Sequence, residues 1–301
     1  MSLGIDVIPP KVCSLNCVYC EVGETTRLTT ERKEYIPYSS IVSELDAYVA
    51  EGREPPDYLT FSGSGEPTLN ARIGDLIQYA KEKLPHIPVA VLTNGTLLHD
   101  RNVRRALARA DVVLPSLDAA RPATYEKMNR PEPSIKLDRY VRGLIAFRNE
   151  YAGPIHLEVF ILPDYNSGEE DIAALGRTIR RIRPDRVQLN TLDRPGAMPG
   201  LRAATQEELE RIQRQLDLPH VDIIAPARER TRIASYQADL EGIILAILQR
   251  RPCTVEDLSK ASGRHVHEMR KYLDVLEGDR RIESVRRDRG IFYRIPDPRR
   301  S

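Results

Sequence analysis

Apolar side chains recur along this chain at two spacings. Short apolar runs at Leu3–Ile8, Tyr58–Phe61, Val89–Thr93, Val112–Leu117, Ile155–Leu162 and Val187–Thr191 predict strands. Between them, stretches near 39–50, 71–84, 100–109, 138–150 and 168–182 repeat their apolar residues at helical spacing. Strands alternating with amphipathic helices are the pattern of βα units around a parallel sheet. Six such units predict an α/β fold, an open, partial (βα)6 TIM-like barrel. In such barrels chemistry gathers at the C-terminal ends of the strands.

Residues two apart share a strand face, and one face of each strand is polar or mixed: Gly4 and Asp6, Thr60 and Ser62, Ser116 and Asp118, His156 with Glu158 and Phe160, and Gln188 and Asn190. Polar side chains buried under helices without partners are costly. This face is therefore expected to line a cavity, the apolar face to meet the helices.

After Thr191 the pattern changes. Residues 193–200 are rich in Pro and Gly and predict a loop across the barrel mouth. Thr205-Gln-Glu-Glu caps a helix running to about Leu216, and Val221–Ile224 predicts a short strand. From Ser235 three helices are expected, at about Leu240–Gln249, from the Thr254 cap to Gly263, and at about His265–Glu277, followed by strands at Arg281–Arg286 and Gly290–Ile295. That order resembles a winged helix-turn-helix module. The 301 residues thus divide into an expected barrel domain, 1–227, and a small C-terminal domain, 228–301.

Composition adds little for the whole chain. It is 41% hydrophobic and 30% charged, with a formal net charge of +1, as in ordinary soluble globular proteins. Its distribution is more informative. Residues 228–301 hold 17 basic and 12 acidic side chains, a net of +5 against −4 for the remainder. Basic clustering is the electrostatic footprint of nucleic-acid binding. In the expected recognition helix His265, His267, Arg270 and Lys271 are offset by Glu268, Asp274, Glu277 and Asp279, so the wing arginines Arg286, Arg287 and Arg289 make the better phosphate-contacting patch. Modules of this kind also bind proteins or peptides, or simply pack on a neighbour. The N-terminus lacks a signal-peptide pattern, and no apolar run approaches the ~20 residues of a membrane span. A cytoplasmic, reducing location with no membrane partner is expected.

Three of the four cysteines fall in one short loop, Cys13-Ser-Leu-Asn-Cys17-Val-Tyr-Cys20. Clustered thiols in a reducing compartment point to metal or redox work. Three thiolates suit three corners of an iron–sulfur cube with the fourth iron open to a ligand. A structural zinc would want a fourth ligand, and the nearest histidine is His86. Cys253, between Pro252 and a helix cap, reads as a buried structural cysteine.

This C-x3-C-x2-C loop, with Tyr19 before its last cysteine, resembles that of the radical SAM superfamily. Thr60-Phe-Ser-Gly-Ser-Gly-Glu-Pro-Thr68 resembles the superfamily's "GGE" motif, with Ser64 where glycine is frequent. Asn129-Arg-Pro131, Glu158, Asn166, Val187–Thr191 and Arg194-Pro195 resemble a branch related to the wyosine-type tRNA-modifying synthetases. The resemblance spans about residues 1–225. It implies one 4Fe–4S cluster on Cys13, Cys17 and Cys20, with S-adenosylmethionine (SAM) on the open iron. It further implies an external one-electron donor of ferredoxin or flavodoxin type, and reductive cleavage of SAM to a 5′-deoxyadenosyl radical.

Tyr19 would lie against the adenine, and Ser64, Gly65 and Glu66 would hold the methionine amine. Ser116 and Asp118 would bind the ribose or serve as cap or turn residues, and Asn190 is a candidate SAM contact. Candidate substrate residues are Arg130 and Arg194, which can clamp a carboxylate or phosphate or be ordinary surface arginines. Glu158 joins them, either touching SAM or substrate or pairing with a buried arginine. The leading expectation is modification of a macromolecule, RNA first. Peptide or protein modification, with the winged helix recruiting the target, is the rival within the enzyme class. An iron–sulfur redox sensor that regulates DNA is the rival outside it.

Overall fold

Strand β1 (Ser2–Asp6) is followed by a short parallel pair, β2 (Val12–Cys13) with β3 (Arg27–Leu28). β1 pairs in parallel with β4 (Tyr58–Ser62), which continues through β5 (Val89–Thr93) to β6 (Val112–Pro115). A second parallel sheet runs β7 (His156–Phe160), β8 (Arg186–Asn190), β9 (Val221–Ile223). Parallel bridges from Val113 to Ile155 and from Ser116 to Glu158 join the two into one run of strands. The computed structural model describes residues 2–52, 55–192, 196–224, 238–262, 264, 266–279, 281–287 and 290–296. Arg194, His265, Arg289 and the 227/228 boundary lie outside them.

The six expected strands are all present. The run contains a seventh as well, because β9 pairs with β8 from Val187↔Val221 to Leu189↔Ile223 and closes the edge.

The helices over this sheet are α1 (Tyr38–Ala50), α2 (Ile73–Lys83), α3 (Arg101–Leu107), α4 (Pro122–Asn129), α5 (Leu137–Glu150), α6 (Glu169–Ile182) and α7 (Gln206–Leu216). Ile41, Leu76, Leu144 and Leu175 on their inner faces share one core with Leu59, Phe61, Leu157, Val159, Val187 and Leu189 of the strands. Burying each such side chain is worth about 1.5–3 kcal/mol. The opposite strand face carries Asp6, Thr60, Ser62, Glu158, Phe160, Gln188 and Asn190, all at least partly exposed. The polar parity therefore faces away from the helices.

α4 has no counterpart in the sequence reading. Its signals are local: Pro122 fits the first turn, and Arg130 ends the helix in the left-handed conformation, φ 45°, just before Pro131.

The chain forms two compact units, Met1–Pro226 and Ala227–Ser301. The second contains α8 (Ala238–Arg250), α9 (Val255–Ser262) and α10 (Val266–Gly278). Its antiparallel sheet has the order β10 (Cys253–Thr254), β12 (Gly290–Arg294), β11 (Glu283–Arg287). Leu240, Ile244, Leu258, Leu273 and Leu276 form a core of its own. Cys253 is buried in that core, and Thr254 and Asp257 cap α9 by exchanging bonds of 3.2 Å. Arg270, Lys271 and Arg286 are exposed. Among the described residues, no helix is long and apolar enough to cross a membrane.

Candidate functional site

The cysteine loop leaves the C-terminal end of β1 and is held on three sides by backbone. On the first side, Lys11 N donates to Ser64 O at 2.6 Å and Glu66 N donates to Val12 O at 3.0 Å. This ties the loop to the turn after β4. Gly65 makes the approach possible, since a Cβ there would stand 2.2 Å from Val12 O. On the second side, the end of α4 runs antiparallel to the loop. Leu15 bridges Pro131, Asn16 N donates to Asn129 O at 3.0 Å, and Val18 N donates to Met128 O at 3.0 Å. On the third, Met198 N donates to Val18 O at 3.0 Å, and Met198 packs against the small cluster of Val18, Met128, Leu162 and Leu192. The described part of the Pro/Gly-rich segment therefore lies against the cysteine loop.

Cys13, Cys17 and Cys20 are free and partly buried. Two of the three sulfurs face an amide. Asn94 Nδ2 lies 3.5 Å from Cys13 Sγ and 2.9 Å from Ser14 Oγ. Asn129 Nδ2 lies 3.4 Å from Cys17 Sγ and 2.8 Å from Asp118 Oδ2. Burial, with the Glu66 charge second, pushes the Cys13 thiol up to about 12. Burial, with Asp118 second, pushes Cys17 up as well. Without a metal group both are protonated thiols at neutral pH, and ligation must displace those protons.

Two buried carboxylates flank the loop. Glu66 Oε1 accepts from Thr68 N at 3.0 Å and Thr93 Oγ1 at 2.6 Å, and its Oε2 accepts from Asn94 N at 2.7 Å. Asp118 Oδ1 accepts from Phe160 N at 2.9 Å, and Oδ2 accepts from Asn129 and from the Tyr19 hydroxyl. Burial raises both carboxyls above the usual carboxylate range. The Tyr19 ring stacks on Phe160, with centroids 4.0 Å apart at 11°. Tyr19 and Asp118, read from the sequence as separate cofactor ligands, are thus bound to each other. Glu66, read with Ser64 and Gly65 as holding the methionine amine, has its carboxylate turned into the protein.

Ser116 receives the Tyr140 hydroxyl on its carbonyl. Glu158 and Asn190 are neighbours on β7 and β8, with Asn190 Nδ2 at 3.2 Å from Glu158 Oε1. Among the described residues Glu158 has this amide as its partner and no arginine. Burial, with the Asp118 charge second, pushes its carboxyl up to about 7. Arg130 places Nη1 3.6 Å from Met198 Sδ. It also lines, with Asn16, Tyr125, Glu132 and Lys136, a cleft of about 580 Å³.

The structure thus gathers Cys13, Cys17, Tyr19, Ser64, Gly65, Glu66 and Asp118 around one loop. It pairs Glu158 with Asn190 on the polar strand face and sets Arg130 on the loop's outer flank. Asn94 received no role from the sequence, and Asn129 only a place in a motif. The available signal was Thr93-Asn94-Gly95 at the C-terminal tip of β5, where functional side chains of this architecture collect.

Do these residues fit an iron–sulfur cube? Among the described residues no three His, Cys, Asp or Glu side chains are arranged around one ion, so the fit rests on the loop's donors. Those donors do fit: three thiols on a clamped loop, with amides aimed at two sulfurs. Among the described residues two buried side-chain atoms, Asn129 Oδ1 and the Tyr125 hydroxyl, have no partner, and burial raises the Tyr125 hydroxyl above its ordinary value.

Residues 7–176 match the family model of the radical SAM superfamily, and the chain belongs to that superfamily. Membership carries a 4Fe–4S cluster and SAM as cofactors. The chain is 36% identical over 195 residues to UPF0026 protein slr1464 of Synechocystis sp., covering 64% of this chain and 71% of that one. It is 37% identical over 255 residues, 84% of its length, to a Brachyspira hyodysenteriae protein named GTPase Obg, of which it spans only 37%. A radical SAM methyltransferase from Sphaerobacter thermophilus shares the fold with a TM-score of 0.58 at 16% identity, over 74% of this chain and 65% of the other.

Proposed function

We propose that this chain is a radical SAM enzyme that modifies a macromolecular substrate, RNA being the first candidate, in a branch related to the wyosine-type synthetases. The observation that carries the enzymatic reading is the triple-thiol loop fastened by backbone to the Ser64–Glu66 turn. When bound, the cluster and SAM supply a 5′-deoxyadenosyl radical that removes hydrogen from a substrate.

The residues divide the remaining work. Cys13, Cys17 and Cys20 hold the cluster. The Ser64–Glu66 turn, fixed against Lys11 and Val12, would hold the methionine amine. Tyr19, Ser116 and Asn190 face the rest of SAM. Asp118 acts as a positioning residue, since it fixes Tyr19 and Asn129. Glu158 and Arg130 contact substrate, with Arg194 as a further candidate.

The C-terminal unit is a winged-helix-like module that recruits the substrate through Arg270, Lys271 and Arg286, and the electron comes from an external ferredoxin- or flavodoxin-type donor. The setting we propose is the cytoplasm. One anaerobic assay tests the chemistry: the reconstituted chain with SAM and dithionite should release 5′-deoxyadenosine, and Cys17→Ala should not. No product from the wild-type chain overturns the reading. Binding to bulk tRNA that weakens steeply with salt supports RNA, whereas salt-independent or absent binding favours a peptide or protein substrate.

A further inference from the structure

Each of two ligand thiols is separated from a buried carboxylate by an asparagine. Asn94 N donates to Glu66 Oε2 at 2.7 Å, and the Asn94 side-chain amide is aimed at Cys13 Sγ from 3.5 Å. Asn129 Nδ2 stands 2.8 Å from Asp118 Oδ2 and 3.4 Å from Cys17 Sγ. The Asn94 amide is not free to turn away. Asn94 Oδ1 accepts from Thr96 N at 3.0 Å and Thr96 Oγ1 at 2.7 Å, and Asn94 O receives Tyr140 Oη at 2.9 Å. The Asn129 backbone carbonyl is fixed by Asn16 N at 3.0 Å.

Hydrogen bonds to cluster sulfurs stabilise the more negative, reduced state and raise the potential. Nearby buried negative charge has the opposite effect. We infer that Asn94 and Asn129 set the reduction potential of the cluster, by donating to the Cys13 and Cys17 thiolates against the opposing charges of Glu66 and Asp118. The inference rests on the proposed ligation by Cys13, Cys17 and Cys20. It concerns the one-electron 2+/1+ couple of the cluster, with the electron supplied by an external reductant. Both asparagines are positioning residues here, acting on the cluster through its ligands.

The test is an anaerobic potentiometric titration of the reconstituted full chain with dithionite, following the EPR signal of the reduced cluster, with iron and sulfide measured in parallel. Asn94→Leu and Asn129→Leu keep the side-chain volume and remove the donor. Each is expected to make reduction about tenfold less favourable, a downward shift of about 59 mV for one electron. Asp118→Asn is expected to shift the midpoint upward. Tyr151→Phe removes a buried hydrogen bond to Ala110 O of 3.0 Å and leaves the sulfur donors and their supports in place, so its midpoint should match wild type.

Leucine variants with full iron content and an unmoved midpoint would overturn the inference. So would loss of the cluster from both, which would assign the amides to holding the loop. A wild-type chain that assembles no 4Fe–4S cluster instead overturns the functional reading beneath it.

Discussion

Glu158 is a half-buried carboxyl on the polar strand face whose protonation changes near neutral pH. Its folded value, about 7, lies above its ordinary value of 4.5 because of burial and the Asp118 charge. A raised acid stabilises the fold fully below the unfolded value, and that contribution is lost as pH rises through the folded one. Wild type should therefore lose stability relative to Glu158→Gln between about pH 4.5 and 7, by at most on the order of 3 kcal/mol. Urea denaturation of the cluster-free chain across that range checks it, and parallel curves for the two proteins would refute it.

Gly65 is a second sensitive position. Because the added Cβ would meet Val12 backbone rather than a movable side chain, Gly65→Ala should cost about 1–3 kcal/mol or more and lower the iron content after reconstitution. Gly168→Ala, whose Cβ would meet only Asp171 Oδ2 at 3.7 Å, should leave the iron content unchanged. The three cysteines were readable because their spacing alone defines a ligand set. Asn94 was not, because its partner sulfur is 81 residues away in sequence and only the sheet brings them together. Asp118 and Tyr19 were each noticed, but their hydrogen bond is a fact of tertiary approach.

Periodicity served the elements well wherever one face is buried. Strands β4 to β8 and helices α1, α2, α5 and α6 fall where apolar spacing put them, since burial of that face is what selects the period. α4 escaped because it is short and mixed in polarity, so its evidence lies in Pro122 and the Arg130–Pro131 stop rather than in a stripe. β9 was seen as a strand but not placed, because three residues carry no information about their partner.

The Thr205 cap was legible, and Glu208 completes it as a reciprocal capping box. Thr205 N donates to Glu208 Oε2 at 2.8 Å, and Glu208 N donates to Thr205 Oγ1 at 3.2 Å. Thr205→Ala should cost about 1 kcal/mol, measured by urea denaturation. A change below about 0.3 kcal/mol would show that tertiary packing alone fixes the start of α7.

Across the molecule, two separate cores underlie the two units. Residues 1–226 expressed alone should fold and hold iron at the full-length stoichiometry, while the tRNA binding proposed for the full chain should fall sharply. Circular dichroism, iron analysis and a salt-dependent binding assay check the three points. An insoluble or iron-free fragment would refute the separation. Composition hinted at this division through the charge contrast between the halves. It could not show what the C-terminal unit recognises, because exposed arginines specify a charge and not a partner.

The join between the two parallel sheets has a consequence of its own. β1–β4 and β7–β8 are laced over five residue pairs each, whereas β6 and β7 meet through two bridges, with Asp118 and Asn166 fastening the C-terminal end through side chains. The sheet therefore resembles two stiff leaves on a slender spine. The cysteine loop and the Ser64–Glu66 turn ride on one leaf, and Glu158 and Asn190 ride on the other. Hydrogen exchange should release the spine amides of Val113 and Leu117 before those of Leu59 and Leu189. A change in the angle of the leaves would then be taken up where the Tyr19 ring of the loop stacks on Phe160 of β7.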